Sequence, residues 1–136
     1  MRVVVDSNVI VAAFATQGLC HLVCETVWTQ HEMLLSPRVI QEVERAALEK
    51  IKLPPAQVQE MVRFLKSNST VLEDYKPPGI VCRDPDDLYV IGIALKGNAG
   101  TLVTGDADLL DLGIVQGVKI VSPRAFWESL RGLEKA

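Results

Sequence analysis

The sequence is poor in the residues that several common kinds of site require. Its 136 residues include only two histidines, three cysteines and 5% aromatic residues. Three cysteines cannot all pair and are too few for a cysteine metal cluster, so we expect buried free thiols. His21 and His31 have no acidic or cysteine partner at metal-binding spacing. These absences exclude a zinc site and a disulfide framework.

Other absences concern membranes and nucleotides. No apolar run approaches the length of a membrane span, and no charged-then-apolar leader opens the chain. There is no glycine-rich phosphate loop. We therefore expect a soluble cytoplasmic protein, with residues 1–136 forming a single domain. The net charge of −3 does not indicate nucleic-acid binding, although acids gathered at one site could conceal a basic rim.

The first strand and the polar residues that follow it are the most informative stretch. Three consecutive valines at residues 3–5 are typical of a strand buried on both faces inside a parallel sheet. Asp6, Ser7 and Asn8 follow immediately, and chemistry in such sheets collects just beyond the carboxyl ends of the strands. The alternative is that Asp6 or Ser7 only caps the next helix.

Strand and helix patterns alternate along the rest of the chain. Further strands are expected at 33–35, 70–72, 101–104 and 118–121. Helices are expected at 9–14, 19–30 and 56–67, and after Ser36-Pro37, Asp84-Pro85, Asp106 and Ser122-Pro123. This alternation predicts an α/β fold, with a five-stranded parallel sheet covered on both faces in three α/β/α layers.

Four acids fall near strand ends: Asp6, Glu42, Asp87 and Asp106. Taken singly, Asp87 could form a capping box with Asp84, Asp106 could cap a helix, and Glu42 could be solvated. Taken together, they would repel one another at one edge of the sheet, and a divalent cation would offset that repulsion. Oxygen ligands without His or Cys favour Mg²⁺ or Mn²⁺. We therefore expect phosphodiester hydrolysis by a metal-activated water.

Four motifs in this order resemble those of the PIN domain family, in particular the toxin nucleases of toxin–antitoxin pairs. They are VDSNVI at 5–10, SPRVIQE at 36–42, DPDDLYVIGIA at 84–94 and TGDADLL at 104–110. The resemblance implies a five-stranded parallel sheet between helices and an Mg²⁺- or Mn²⁺-dependent ribonuclease acting on RNA. It also implies a homodimer that an antitoxin protein inhibits. A PIN-fold nuclease of general RNA processing and a non-catalytic PIN-fold binding module are the alternatives.

The resemblance also assigns roles to single residues. It makes Asp6, Glu42, Asp87 and Asp106 the metal-binding acids. Asp108 becomes a weaker additional ligand, and Ser7, Asn8 and Thr104 become residues that support those acids. Asp84 and Asp86 are near alternatives to Asp87, which is chosen because Ala94 lies two turns further along the same inward helix face. Arg38 is a candidate phosphate contact or a solvated helix-start arginine.

Other enzyme classes match the sequence less well. Phosphatases of the haloacid-dehalogenase type need a second acid at the position where this chain has Asn8. A receiver domain needs a lysine beyond the last strand, whereas Lys119 lies within that strand. A binding module would be expected to lack some of the acids, and none is lost. No histidine lies in the four motifs, so the acid–base pair of a metal-free ribonuclease has no candidates. We expect products with a 5′-phosphate and a 3′-hydroxyl.

Overall fold

The computed structural model of the protein describes residues 1–132, so the last four residues of the expected domain lie outside the described part. The strands are β1 Arg2–Val5, β2 Glu32–Leu35, β3 Thr70–Val71, β4 Thr101–Val103, β5 Ile114–Val115 and β6 Val118–Val121. The helices are α1 Ser7–Ala15, α2 Leu19–Gln30, α3 Pro37–Glu49, α4 Pro55–Asn68, α5 Asp87–Lys96, α6 Ala107–Leu110 and α7 Pro123–Leu130. The predicted alternation of strands and helices is confirmed.

The strands form one sheet in the order β3-β2-β1-β4-β6-β5. β1 lies near its middle and pairs in parallel with β2 and with β4, so that Val4 is opposite both Leu34 and Leu102. β3 and β6 extend the parallel part on either side. The order places the ends of β1 and β4 side by side, and these are the strands that Asp6 and Asp106 follow.

The five predicted strands form the parallel part of the sheet, and the described residues contain a sixth strand that was not predicted. β5 pairs antiparallel with β6, with Val115 opposite Val118. Gln116 and Gly117 make the two-residue turn between them, and both have positive φ, at 48° and 87°. Such turns match the twist of a hairpin. Because β5 has only two residues, it has no periodicity that could have revealed it.

The core forms around β1. Val3, Val4 and Val5 are fully buried, as expected for a strand covered on both faces. Apolar side chains from α1 to α7 pack with the strands into one buried cluster. The sheet is thus flanked by helices, and its carboxyl edge adjoins a buried apolar core.

The start of α5 differs from the prediction. Asp84 and Pro85 were expected to be its cap and first residue, but the helix begins at Asp87. Asp84 instead caps a tight turn, in which its Oδ1 accepts a hydrogen bond from the Asp86 backbone N–H at 3.0 Å. This turn leads into the helix so that Asp87 comes first in it and is buried.

Two further expectations can be compared with the structure. No single helix among residues 1–132 is long and apolar enough to cross a membrane. α1 and α2 reach that length and composition only together, and they are bent by 108° at their junction. Of the three free cysteines, Cys24 is buried as expected, whereas Cys20 and Cys82 are only partly buried.

Candidate metal centre

Asp6 lies at the junction of β1 and α1. Its backbone N–H donates to the Val103 carbonyl at 2.9 Å, which continues the pairing of β1 with β4. Its Oδ1 accepts from the Ser7 backbone N–H at 2.8 Å, so the carboxylate also caps α1. Its exposed fraction is only 6%. The alternative reading of Asp6 as a helix cap is therefore correct in itself, and it leaves Oδ2 available for other partners.

Thr104 joins the ends of β1 and β4. The hydroxyl of this fully buried residue donates to Asp6 Oδ2 at 2.8 Å and accepts from the Asp106 backbone N–H at 3.0 Å. Asn8 reinforces the connection: its Nδ2 donates to Asp6 Oδ2 at 3.2 Å, and its Oδ1 accepts from the Gly105 N–H at 3.1 Å. Thr104 and Asn8 therefore connect the Asp6 carboxylate to the residues that follow β4.

Three carboxylates form a compact cluster beside this junction. Asp87, Asp106 and Asp108 each offer an oxygen, and these oxygens lie within 4.8 Å of one another. Asp106 Oδ1 also accepts from the Asp108 backbone N–H at 2.9 Å, which caps α6. Asp87 is 9% exposed, and its Oδ2 has no hydrogen-bond partner among residues 1–132. A buried carboxylate oxygen without a partner is costly unless a ligand satisfies it.

The acids raise one another's affinity for protons. Burial is the largest cause that raises the pKa of Asp87 to about 7, followed by the negative charges of Asp106, Asp84 and Asp6. Burial also raises the pKa of Asp6, although its hydrogen bonds from Thr104, Ser7 and Asn8 act in the opposite direction. A group of acids that cannot all ionise without cost favours a bound cation.

Glu42 lies at the margin of this site. It is partly buried on α3, outside the three-acid cluster, and its pKa is raised first by burial and then by the charge of Asp6. Ser7 lowers that pKa by hydrogen bonding. Ser7, Asn8 and Glu42 also line one end of a pocket of about 390 Å³ between α1 and α3. Glu42 therefore adjoins Asp6 from the α3 side.

Two arginines border the acids, and no local sequence pattern indicates either arrangement. Arg83 Nη1 lies 3.3 Å from Asp108 Oδ1, with an Arg83 side chain that is largely exposed. Arg38 Nη2 lies 3.1 Å from Asp86 Oδ1, so Asp86 faces this arginine. The charge of Asp84 contributes to the raised pKa of Asp87, after burial and the charge of Asp106. Asp84 also caps the turn that precedes α5. Asp87 is the member of the Asp84, Asp86 and Asp87 group that lies in the cluster.

The residues present are suited to a divalent cation. The donors are carboxylate oxygens, which Mg²⁺ and Mn²⁺ prefer. Asp87 Oδ2 is buried and without a partner among the described residues, and burial and then the neighbouring charges raise the pKa of Asp87. Asp87, Asp106 and Asp108 could hold such an ion together, with Asp6 beside them through Thr104.

Comparisons with known proteins agree with this fold. A model of the PIN domain family matches residues 2–108. VapBC2 from Rickettsia felis, bound to a DNA fragment from its promoter, aligns with a TM-score of 0.62 at 16% identity, covering 90% of this chain and 98% of that one. VapC20 from Mycobacterium tuberculosis, a toxin that cleaves the sarcin-ricin loop, gives 0.58 at 16% identity, with 86% and 98% covered. VapBC-1 from nontypeable Haemophilus influenzae gives 0.62 at 16% identity, with 91% and 99% covered. A search of curated proteins finds no match.

Proposed function

The chain belongs to the PIN domain family, and from this membership and the acidic cluster we propose that it is a metal-dependent endoribonuclease. The observation that carries the proposal is the approach of Asp87, Asp106 and Asp108 oxygens to within 4.8 Å of one another. Asp6 adjoins this group through its hydrogen bond from Thr104. The substrate is RNA, and the products have a 5′-phosphate and a 3′-hydroxyl.

Mg²⁺ or Mn²⁺ is the proposed cofactor, held by Asp87, Asp106 and Asp6 with Asp108 as a further ligand. When bound, such an ion lowers the pKa of a coordinated water and offsets negative charge on the phosphate. The protein keeps the ligand acids in place through the Thr104 hydroxyl and the Asn8 amide. This support matters because residues that orient metal ligands typically affect metal affinity or activity.

Glu42 has a different proposed role from the other acids. It lies on the Asp6 side of the site, and burial and the Asp6 charge raise its pKa. A carboxylate with a raised pKa is a better proton acceptor near neutral pH. Glu42 orients the attacking water and takes up its proton. Glu42→Gln should therefore reduce the rate less than loss of an acid from the cluster.

We further propose that the protein is the toxin of a toxin–antitoxin pair and forms a homodimer. The VapBC structures among its structural neighbours support an antitoxin partner. We propose that the antitoxin binds an aromatic surface of this chain. Phe14, Trp28 and Phe64 pack against one another, with centroids 4.8 Å apart for Trp28 and Phe64, and line a cavity of about 630 Å³. Phe64 is 40% exposed, and exposed aromatic patches commonly mark protein interfaces.

The partner can be tested by co-expression with the neighbouring reading frame. We expect the neighbouring gene product to bind this chain and to inhibit RNA cleavage. This binding should be lost in Phe64→Ser and kept in Ile114→Ser. Ile114 is a suitable control because it is also exposed and lies on the edge strand β5, across the sheet from α4. Failure of the neighbouring product to bind or inhibit would favour a solitary RNA-processing nuclease. Sedimentation showing only monomer over a wide concentration range would contradict the homodimer.

The nuclease activity itself is tested with end-labelled single-stranded RNA in the presence of Mn²⁺ or of EDTA. We expect cleavage only with the metal, and 5′-phosphate and 3′-hydroxyl termini. Asp106→Asn should lower the rate by more than about 100-fold. The matched control is Asp111→Asn, which changes an exposed acid at the end of the same short helix. Cleavage that persists in EDTA, or that leaves 2′,3′-cyclic phosphates, would contradict the proposal.

A further inference from the structure

Arg38 is held in an unusually defined position for a surface arginine. It is the second residue of α3 and lies one turn before Glu42. Its backbone N–H donates to Asp74 Oδ1 at 3.2 Å, and its side chain is 38% exposed. Burial and the charge of Asp6 raise the pKa of Glu42, and the positive charge of Arg38 acts against that rise, so Arg38 and Glu42 interact electrostatically.

The guanidinium group is fixed from two directions. Nη2 donates to Asp86 Oδ1 at 3.1 Å, and Cζ lies 4.1 Å above the centroid of the Tyr89 ring. Tyr89 is on α5, two residues after Asp87, so Arg38 spans from the Glu42 helix to the helix of the acidic cluster. Stacking on an aromatic face restricts a guanidinium group while leaving its edge free for hydrogen bonds.

Part of that edge is unused. Arg38 Nε is buried and has no hydrogen-bond partner within the described residues 1–132. A guanidinium group has five N–H donors arranged to match a carboxylate or phosphate. The ion pair with Asp86 is a weak reason for this arrangement, because the Asp86 side chain is 63% exposed and exposed ion pairs contribute little to stability.

We propose that Arg38 is a positioning residue that binds a backbone phosphate of the RNA substrate on the Glu42 side of the acidic cluster. Asp86 and Tyr89 hold its guanidinium group ready, and the phosphate takes the place of Asp86. This inference rests on the proposed ribonuclease function. It gives a reason why a site with many acids can admit a polyanion: the positive charge of Arg38, which contacts Asp86 and acts on Glu42, offsets part of the repulsion locally.

The test measures binding separately from cleavage. Anisotropy of a labelled single-stranded RNA is followed in EDTA over a series of salt concentrations, with wild type, Arg38→Met and Arg63→Met. Arg63 is the matched control because it is an exposed arginine in the half of α4 that leads away from the carboxyl edge. We expect Arg38→Met to weaken binding by about tenfold at low salt, and to reduce the slope of log K against log salt by about 0.7. Arg63→Met should change neither.

A second comparison tests whether Asp86 competes with phosphate for Arg38. If Asp86 competes with phosphate for Arg38, Asp86→Asn should tighten RNA binding by about threefold, and this gain should disappear in an Arg38→Met background. A general effect of removing one negative charge would persist in that background. Arg38→Lys, which keeps the charge but not the planar fork, should recover the salt slope better than the affinity.

The outcomes separate this inference from the proposed function. No binding of RNA by wild type in EDTA, or equal binding by wild type and Arg38→Met, would overturn the phosphate contact. If Asp86→Asn tightens RNA binding equally in the Arg38→Met background, the proposed competition between Asp86 and phosphate is overturned. If binding depends on Arg38 as expected but Mn²⁺ supports no cleavage, the contact stands and the nuclease proposal fails. With active protein, Arg38→Met should raise KM more than it lowers kcat.

Discussion

The Asp87→Asn substitution should stabilise the metal-free protein, and the gain should grow as the pH rises. The Asp87 carboxyl is 9% exposed and is surrounded by other acids, so its ionisation in the folded state is costly. An asparagine has nearly the same shape and carries no charge at any pH. The substitution therefore removes a destabilising charge that a bound cation would otherwise offset.

The magnitude and sign follow from the shifted pKa. The pKa of Asp87 is raised from 3.8 to about 7 on folding, mainly by burial and then by Asp106. Between these values the folded protein holds a proton that the unfolded chain has lost, so the free energy of unfolding falls as the pH rises through this window. At about 1.36 kcal/mol for each pH unit, the loss reaches up to roughly 4 kcal/mol. The raised pKa values of Asp6 and Glu42 act in the same direction.

The assay is urea unfolding in EDTA at constant ionic strength, from about pH 5 to about pH 8. Wild type should lose stability across this range, and Asp87→Asn should lose much less and be the more stable protein at the upper end. Asp111→Asn, an exposed acid outside the cluster, should follow wild type within about 0.5 kcal/mol. The reasoning is refuted if wild type is equally stable at both ends, or if Asp87→Asn keeps the full dependence on pH.

Two further substitutions test the packing around the site. Thr104→Val removes the hydroxyl that contacts Asp6 and should lower the free energy of unfolding by about 1–3 kcal/mol in urea, whereas Thr104→Ser should recover most of it. Gly92→Ala should cost roughly 3 kcal/mol or more, because a Cβ there would overlap the Tyr75 carbonyl oxygen. Gly100→Ala, whose Cβ would meet no heavy atom of the described residues within 4 Å, is its control. Equal melting temperatures for the two glycine variants would contradict the packing around Gly92.

Much of the fold could be predicted because local patterns and topology agree. The three valines before Asp6 favoured a buried strand in a parallel sheet, and the Ser36-Pro37 pair marked the start of α3 correctly. The strand β5 could not be predicted, because its two residues carry no periodicity. Its turn also uses Gln116, a residue that does not commonly signal a hairpin.

The candidate site was predictable in its location and less so in its details. Strand ends brought Asp6 and Asp106 together, as parallel topology requires. Glu42 lies one turn into a helix, and its distance from the cluster depends on how α3 packs, which the sequence does not reveal. The stacking of Arg38 on Tyr89 joins residues 51 positions apart in two motifs, so no local pattern could indicate it.

We propose that the carboxylates at the ends of β1 and β4 form a binding site for a divalent cation. Calorimetric titration with Mn²⁺ of wild type, of an Asp6→Asn, Asp106→Asn double variant and of Asp111→Asn measures this binding. We expect binding by wild type and by Asp111→Asn, and a loss of affinity by more than about 100-fold in the double variant, which lacks two proposed ligands. Equal Mn²⁺ binding by wild type and the double variant would contradict the account.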